Sequence, residues 1–337
     1  MGFPEYIAAH KDGVYEKLLE YLPTAGPPEY DEMVASYVKR KGKYVRPAFV
    51  LLWAELFGAN VIDAILPAAA LQATEDWGRM HDDILDDNPV RRGLPAAHIL
   101  YGIKMAINAG DALNVLSWRM ATSASRLLGE NRGKRYYAKF TDMVLETIRG
   151  QYLDMRLTQE RDIVKFTLDD YYASIAAKSG YYSIYGPMQI GAIVAGANKI
   201  DVGLVDTYGA PIGKAFQIKD EILDCTATRE QLEKEPYTDI REGTKTAILH
   251  YAVQNANGTE LEKLKTIYMK PEKTEAEVLY VKDLFLSTGA ITYAQELADK
   301  LTEEGLWWFD LASKYYPNKQ LIETARNSLL YAAGRKK

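Results

Sequence analysis

The sequence predicts an all-α fold, and three observations support that prediction. Apolar residues recur at helical spacing, as in the stripe formed by Ile291, Ala294, Ala298 and Leu301. Similar stripes cover residues 50–72, 106–128 and 140–157. The period-two alternation that strands require is almost lacking. Turn-forming residues interrupt the patterns near residues 23–28, 58–60, 89–95, 129–133, 257–258 and 317–318. Because none of these breaks is a long linker, we expect one domain over residues 1–337, with about ten or more helices.

The amino-acid composition excludes several classes of protein. The chain has 337 residues, of which 47% are hydrophobic and 26% charged, and these values exclude wholesale disorder. Its net charge of −5 argues against a dedicated nucleic-acid binder, which would carry a basic excess. Cys225 is the only cysteine, so the sequence holds no intrachain disulfide and indicates a reducing compartment.

The sequence also predicts a cytoplasmic protein without stable membrane insertion. The first residues do not combine a basic segment with an apolar one, as a secretory signal would. The longest uncharged run, residues 179–198, reaches the length of a membrane span. Because it contains Pro187, Gln189 and Asn198, we interpret it as a buried helix.

Two acidic clusters stand out within the helical patterns. Asp82 and Asp86 are four residues apart, as are Asp220 and Asp224, so each pair shares one helix face. Like charges at this spacing destabilise a helix, and two such pairs are best explained by a cation. Ligands that offer only carboxylate oxygens favour Mg²⁺, which binds one or two carboxylates together with waters and substrate phosphates. The alternative is a solvated acidic face.

Basic residues near the first cluster predict a phosphate site. Lys43 and Arg46 open one helix, and Arg91 and Arg92 closely follow the acidic run. Arginine suits bidentate phosphate binding, and lysine supplies a point charge. Because the sequence contains neither a Walker A loop nor a dinucleotide fingerprint, we interpret these groups as a diphosphate site outside the nucleotide folds.

Taken in order, these motifs resemble those of the trans-isoprenyl diphosphate synthases. The resemblance runs from about residue 40 to 250, and each of its pieces alone is weak. The matching segments are Gly42-Lys43 with Arg46-Pro47, Asp82-Asp83 with Asp86, Arg91-Arg92-Gly93, Gly110-Asp111, Gly150-Gln151 with Asp154, Lys178-Ser179, Phe216-Gln217 with Asp220-Glu221 and Asp224, and Asp239 with Gly243.

The resemblance implies a prenyltransferase that joins isopentenyl diphosphate to allylic diphosphates with the help of Mg²⁺. It implies a single-domain bundle of about a dozen helices around a deep apolar cavity, usually as a homodimer. By this resemblance the metal ligands are Asp82, Asp86 and Asp220, supported by Asp83 and Asp224. The residues around the allylic diphosphate are Arg91, Lys178 and Gln217. The residues for isopentenyl diphosphate are Lys43, Arg46 and Arg92, and those lining the reaction chamber are Gln151 and Asp154. For His81 we expect a structural role.

The sequence departs from the family pattern at several positions. Glu75 lies where the family has His or Gln in contact with isopentenyl diphosphate, and Arg79, one helical turn later, can neutralise it. Tyr44 and Glu221 replace an arginine and an aspartate. Thr244 replaces a lysine that binds diphosphate. Lys245 is adjacent, but its side chain would point about 100° away if the segment were helical.

Two residues just before the first acidic cluster bear on product length. In the synthases that this sequence resembles, side chains just before the first acidic cluster form the floor of the product cavity. Gly78 offers no obstruction, whereas Trp77 is bulky, and this combination predicts geranylgeranyl diphosphate as the main product and farnesyl diphosphate as the next. The alternative is that Trp77 only packs in the core.

Two other functions are compatible with the same motifs. Glu75 and Thr244 would suit a non-catalytic regulatory subunit of a heteromeric synthase, although such subunits commonly lose an acidic cluster. A class I terpene cyclase usually replaces the second cluster with an Asn or Asp, Ser or Thr, Glu pattern, whereas residues 220–228 keep Asp220 and Asp224.

Overall fold

The computed structural model describes residues 1–160, 162–228 and 236–334. Regular structure in these ranges is helical apart from one short hairpin, so the predicted all-α class is confirmed. The helices are α1 (Phe3–Leu19), α2 (Pro28–Lys39), α3 (Val45–Leu56), α4 (Val61–Leu85), α5 (Ala97–Tyr101), α6 (Ile103–Leu127), α7 (Glu130–Gln159), α8 (Leu168–Ile175), a π-helix (Ala176–Tyr185), α9 (Gly186–Val194), α10 (Lys199–Thr226), α11 (Thr238–Glu242), α12 (Ala247–Asn255), α13 (Gly258–Tyr268), α14 (Glu275–Ser287), α15 (Ala290–Ala312), two 3₁₀ turns (Ser313–Tyr315 and Lys319–Leu321) and α16 (Ile322–Gly334).

The hairpin explains why two arginines and a glycine follow the first acidic cluster. Strands β1 (Val90–Arg91) and β2 (Leu94–Pro95) pair antiparallel through a two-residue turn. The turn residues, Arg92 and Gly93, have φ of 52° and 73°. Positive φ at both positions is what a tight hairpin turn requires. The turn thus fixes the backbone from which Arg92 projects.

The first acidic cluster lies at the end of its helix. The sequence pattern placed the whole cluster inside a helix, but α4 ends at Leu85. Asp86 caps the helix, with its N–H bonded to the Asp82 carbonyl at 2.9 Å, and Asp87 has a φ of 48°. Acidic and amide side chains before a proline favour turns, and the run from Asp86 to Pro89 has this composition.

The first of two compact units contains Met1–Val144, Gly186–Val205 and Ala312–Ser328. Its core includes α3, where Trp53 is fully buried, and α9, which lies directly against α3. A Cβ atom on Gly191 would lie 2.3 Å from the Val50 carbonyl oxygen, so only glycine permits this approach. The uncharged run over residues 179–198 therefore includes the buried helix α9, as predicted. Of the helices described, none is long and apolar enough to cross a membrane.

The second unit contains Leu145–Tyr185, Asp206–Leu311 and Leu329–Lys337, of which the last three residues lie outside the described ranges. Its π-helix packs against α10 through two glycines. A Cβ atom on Gly213 would lie 2.8 Å from the Gly180 Cα. The single prenyltransferase domain over residues 1–337 stays a prediction.

Candidate functional site

Asp82 and Asp83 are adjacent in sequence but have different surroundings. Asp82 is 30% exposed, and its carboxylate lies 3.7 Å from Arg79 Nη1. Asp83 is fully buried, accepts a hydrogen bond from the Tyr37 hydroxyl at 2.6 Å and forms a bidentate ion pair with Arg91. Asp82 can therefore bind a ligand, whereas Asp83 fixes Arg91. Tyr37 was not identified from the sequence.

Glu75 pairs with the arginine that the resemblance assigns to isopentenyl diphosphate. Arg46 Nη1 donates to Glu75 Oε1 at 2.7 Å, and Arg79 Nε lies 4.0 Å from the same oxygen. Burial acts to raise the pKa of Glu75, but the positive charges of Arg46, Arg79 and Arg92 hold it below its usual value. Glu75 is therefore an ionised carboxylate whose charge offsets that of Arg46.

Asp76 holds Arg92 in the same way, and sequence reasoning missed it. Arg92 Nη2 donates to Asp76 Oδ1 at 2.8 Å, while its Nη1 donates to the Tyr37 carbonyl at 2.7 Å. Gln72, one turn earlier on α4, donates to the same carboxylate at 3.3 Å. Burial raises the pKa of Asp76 to about 6 despite the nearby Arg92. The available signal was an acidic residue in an apolar helical stretch, four residues after a glutamine.

The loop before α3 lies against Arg92. A Cβ atom on Gly42 would lie 3.0 Å from Arg92 Nη2, so the backbone passes directly beside the guanidinium. Lys43 follows and is exposed. Tyr44 is buried with a φ of 55°, and its hydroxyl has no hydrogen-bond partner within the described ranges. The loop therefore places Lys43, and next Arg46, on backbone adjacent to Arg92, which brings the three predicted phosphate residues into one region.

Asp76 gives this region a defined pH dependence. Its folded-state pKa of about 6 exceeds the ordinary aspartate value of 3.8, so the folded protein binds the proton more tightly than the unfolded chain. The stabilisation is complete below about pH 4 and is lost as pH rises towards and through 6. Relative to Asp76→Asn, the wild-type protein should therefore lose up to roughly 3 kcal/mol of unfolding free energy over that range.

Thermal unfolding of both proteins at pH 4.5, 5.5 and 7 measures this difference. The Asp63→Asn variant, in the exposed first turn of α4, serves as the control. Melting temperatures of wild type and Asp76→Asn that run parallel with pH would contradict the assignment.

The second acidic cluster shows a similar division between exposed and buried carboxylates. On α10, Asp220 is half-buried, whereas Asp224 is buried and accepts a hydrogen bond from the Asp239 N–H at 3.0 Å. Glu221 is buried and accepts from the Tyr171 hydroxyl at 2.9 Å and from Gln217 at 3.4 Å. Asp224 thus helps to hold the start of α11, and Tyr171 is a further residue that the sequence did not reveal.

Glu221 lies among other acidic groups that affect its pKa. Burial and the charges of Asp220 and Asp154 together raise the pKa of Glu221 to about 8, against the lowering effect of the hydrogen bonds from Tyr171 and Gln217. At neutral pH these contributions favour the protonated form of Glu221.

Lys178 lies beside Asp154, and a glycine permits this. A Cβ atom on Gly150 would lie 2.2 Å from the Lys178 backbone nitrogen, so α7 and the π-helix touch there. Lys178 Nζ lies 2.5 Å from Asp154 Oδ2. Gln151, the residue after Gly150, is half-buried in the same turn of α7. The structure thus brings together residues predicted from two separate motifs, Lys178 from one and Asp154 from the other.

Trp77 and Gly78, the two residues predicted to set product length, have different surroundings. Nothing lies within 4 Å of a Cβ atom built on Gly78. Trp77 is half-buried, its ring contacts that of His81 edge-on with centroids 5.9 Å apart, and its Nε1 has no hydrogen-bond partner among the described residues. His81 in turn packs on Gly110, where a Cβ atom would lie 2.3 Å from its Nε2. That contact supports a structural role for His81.

Lys245, next to the position of the missing phosphate lysine, does not lie in a helix. Residues 244–246 are not helical, so the expected rotation of about 100° per residue does not apply. Lys245 is buried and donates to the Gly243 carbonyl at 3.2 Å. Burial, with a contribution from Lys273, lowers its pKa to about 8.

The carboxylates of Asp82 and Asp86 offer the oxygen ligands that Mg²⁺ prefers. Within the ranges that the structure describes, no three His, Cys, Asp or Glu side chains lie close enough together to form a metal site. Mg²⁺ usually binds one or two protein carboxylates and completes its shell with waters and substrate phosphates. The half-buried Asp82, which precedes the exposed Asp86 by one turn, fits that pattern.

Comparisons with known proteins agree with the fold and the motifs. The polyprenyl synthetase family model matches residues 27–285. The chain is 31% identical to the geranylgeranyl diphosphate synthase of Sulfolobus acidocaldarius, covering 94% of this chain and 90% of that one. It is also 31% identical to the geranylfarnesyl diphosphate synthase of Aeropyrum pernix, covering 77% and 80%. The crystal structure of geranylgeranyl pyrophosphate synthetase from Pyrococcus horikoshii superposes with a TM-score of 0.86 at 27% identity, covering 99% and 98%.

The chain therefore belongs to the polyprenyl synthetase family. It is a prenyltransferase of the short-chain isoprenyl diphosphate synthase type, as its resemblance predicted.

Proposed function

We propose that this protein condenses isopentenyl diphosphate with allylic diphosphates and releases geranylgeranyl diphosphate as its main product, with farnesyl diphosphate next. One observation carries the proposal. Helix α4 presents Glu75, Asp76 and Asp82 in succession, and through them it engages Arg46, Arg92 and Arg79. Helix α4 thus holds arginines suited to a diphosphate and also carries a carboxylate suited to a metal.

The assignment of individual residues follows the resemblance. The proposed Mg²⁺ ligands are Asp82, Asp86 and Asp220, and the supporting acids are Asp83 and Asp224. The proposed groups for the allylic diphosphate are Arg91, Lys178 and Gln217. The proposed groups for isopentenyl diphosphate are Lys43, Arg46 and Arg92, and those lining the chamber are Gln151 and Asp154. The bidentate pair between Asp83 and Arg91 supports a preorganised arginine.

The chemistry needs charge stabilisation more than it needs a base. Bound Mg²⁺ would neutralise negative charge on the departing diphosphate. Arg91 and Lys178 would stabilise the same charge, because preorganised donors cost no reorganisation during the reaction. The allylic cation is attacked by the double bond of isopentenyl diphosphate, and the released diphosphate accepts the proton. No side chain of this chain is therefore assigned as a dedicated base.

Incubation of the purified chain with isopentenyl diphosphate, Mg²⁺ and each allylic starter tests the proposal. The products, after removal of the diphosphate, are identified by chromatography against standards of ten to twenty-five carbons. A twenty-carbon main product supports the proposal. A cyclic hydrocarbon would identify a cyclase, and absence of turnover by the isolated chain would favour a regulatory subunit.

Glu75→Gln should strengthen binding of isopentenyl diphosphate and weaken the fold. Without the carboxylate, Arg46 and Arg79 keep their charges and the diphosphate becomes their counter-ion. We expect the KM for isopentenyl diphosphate to fall about two- to fivefold, which corresponds to about 0.4–1 kcal/mol of binding free energy. Because Arg46 is largely buried, the unfolding free energy should fall by roughly 1–3 kcal/mol.

Steady-state kinetics and thermal unfolding measure the two effects, with Glu130→Gln in the exposed pair with Lys134 as the control. A raised KM would show instead that Glu75 holds Arg46 in the binding orientation.

We also propose that the protein acts in the cytoplasm as a homodimer. Exposed apolar side chains line the first unit along α5 and α6, where solvent contact is unfavourable. They include Ile99, Ile103, Met105, Ile107 and Val115. Light scattering after size exclusion should give twice the chain mass, and Val115→Glu should shift it towards the monomer. A monomeric wild-type protein would contradict the proposal.

A further inference from the structure

An unbroken series of ion pairs leads from the proposed diphosphate arginine to the proposed metal ligand. Arg46 Nη1 lies 2.7 Å from Glu75 Oε1. Arg79 Nε lies 4.0 Å from the same oxygen, and Arg79 Nη1 lies 3.7 Å from Asp82 Oδ2. Positive and negative groups thus alternate along the series, so a change of charge at one end alters the balance at the next group.

Arg79 occupies an intermediate position in this series. Its distances to Glu75 and to Asp82 both exceed hydrogen-bond range, so neither of these two carboxylates holds Arg79 by a hydrogen bond. Glu75 and Asp82 lie four residues before it and three after it, on the same helix face. Arg79 is 35% exposed, whereas Arg46 is 12% exposed. Both carboxylates lie near the partly exposed guanidinium of Arg79, on the helix that carries it.

We propose that Arg79 is a positioning residue that couples the charge state of Asp82 to the affinity of Arg46 for isopentenyl diphosphate. The inference rests on the proposed function, because that function assigns the diphosphate to Arg46 and a cation to Asp82. When a cation engages Asp82, Arg79 loses that partner and moves fully to Glu75. Glu75, neutralised by Arg79, then holds Arg46 less strongly, and Arg46 becomes available to the anion.

The coupling must also operate in reverse. An anion that engages Arg46 releases Glu75, which attracts Arg79 away from Asp82. Asp82 then offers its full charge to a cation, because the two binding events share one coupling free energy. Each ligand therefore prepares the protein for the other without a movement of the helix.

A double-mutant cycle without metal tests this coupling. Asp82→Asn removes the charge of Asp82, as a bound cation would, and so releases Arg79. Isothermal titration in EDTA measures the Kd of isopentenyl diphosphate, which is not consumed without an allylic partner. In the presence of Arg79, Asp82→Asn should tighten binding about three- to fivefold, as expected for one partly exposed ion pair. In the Arg79→Gln background the same change should alter Kd less than about 1.5-fold.

Two further variants separate the coupling from simple electrostatics. Asp87→Asn removes the same charge five residues further on, at an exposed position whose φ of 48° suits asparagine. Because an exposed charge acts mainly on its direct neighbours, Asp87→Asn should leave the Kd of isopentenyl diphosphate unchanged within about 1.5-fold. Arg79→Lys keeps the charge and should restore most of the response to Asp82→Asn.

The possible results are distinct. Equal tightening by Asp82→Asn in both backgrounds would overturn the inference, since the effect would then act through space. An unchanged Kd in Asp82→Asn would also overturn it. In both cases the proposed function survives if Arg46→Gln weakens binding. If Arg46→Gln leaves Kd unchanged, the proposed subsite is wrong, and the inference fails with it.

Discussion

Asp82→Ala is expected to reduce kcat to less than about a tenth of the wild-type value, a loss above roughly 1.4 kcal/mol in transition-state stabilisation. The carboxylate is half-buried, and its ion pair with Arg79 is long, at 3.7 Å. Such a pair contributes about 0–1 kcal/mol to stability, and the substitution also relieves repulsion with Asp86. The fold should therefore persist while metal binding is lost. Asp220→Ala should behave in the same way.

Asp83→Ala is expected to lower the stability of the fold, in contrast to Asp82→Ala. Asp83 is fully buried between Tyr37 and Arg91, so its removal leaves a largely buried arginine without its carboxylate. Loss of one partner of a buried pair costs about 3–5 kcal/mol. Asp83→Ala should therefore lower the melting temperature strongly, whereas Asp82→Ala should not.

Initial rates at saturating substrate, circular dichroism and thermal unfolding distinguish the two effects. Asp87→Asn controls for the loss of one acidic charge near the cluster. If Asp82→Ala or Asp220→Ala kept more than about a tenth of wild-type kcat, that residue would not be an essential metal ligand.

The helices were predictable because local signals determine them. Pro28 begins α2 and Gly58 follows the end of α3, as expected from helix start and stop residues. Ala294 and Ala298 are fully buried on the stripe that predicted α15. In these cases backbone preference and apolar spacing agree, so the sequence alone identifies the element.

The roles of the charged residues were less predictable because they depend on partners distant in sequence. Asp76 resembles any helical acid until the hairpin brings Arg92 against it, and Tyr37 contacts Asp83 from 46 residues away. The spacing of Asp82 and Asp83 likewise does not reveal which carboxylate is buried. The spacing of the motifs thus indicated which residues belong to the candidate site. Pairing in the folded chain decides which of them are available to a ligand.

Substitutions at Trp77 and Gly78 are expected to change product length in opposite directions. On α4 these residues precede Asp82 by five and four positions, or about 7.5 and 6 Å along the helix axis. Each five-carbon unit of the product requires a few ångströms of further cavity. Nothing lies within 4 Å of a Cβ atom built on Gly78, so a larger side chain can begin there without a clash at Cβ. We expect a phenylalanine at this position to obstruct the growing chain.

Trp77→Ala should therefore lengthen the main product by at least one five-carbon unit, because it removes the largest side chain at this depth. Gly78→Phe should shorten the product. Product chromatography for each variant is compared with two matched controls, Trp307→Ala at an exposed tryptophan and Gly203→Phe at another glycine with open space around it. If the product distributions of wild type, Trp77→Ala and Gly78→Phe were identical, Trp77 would have only a packing role and the cavity floor would lie elsewhere. We expect the opposite result because the half-buried Trp77 ring lies against His81, whereas nothing lies within 4 Å of a Cβ atom on Gly78.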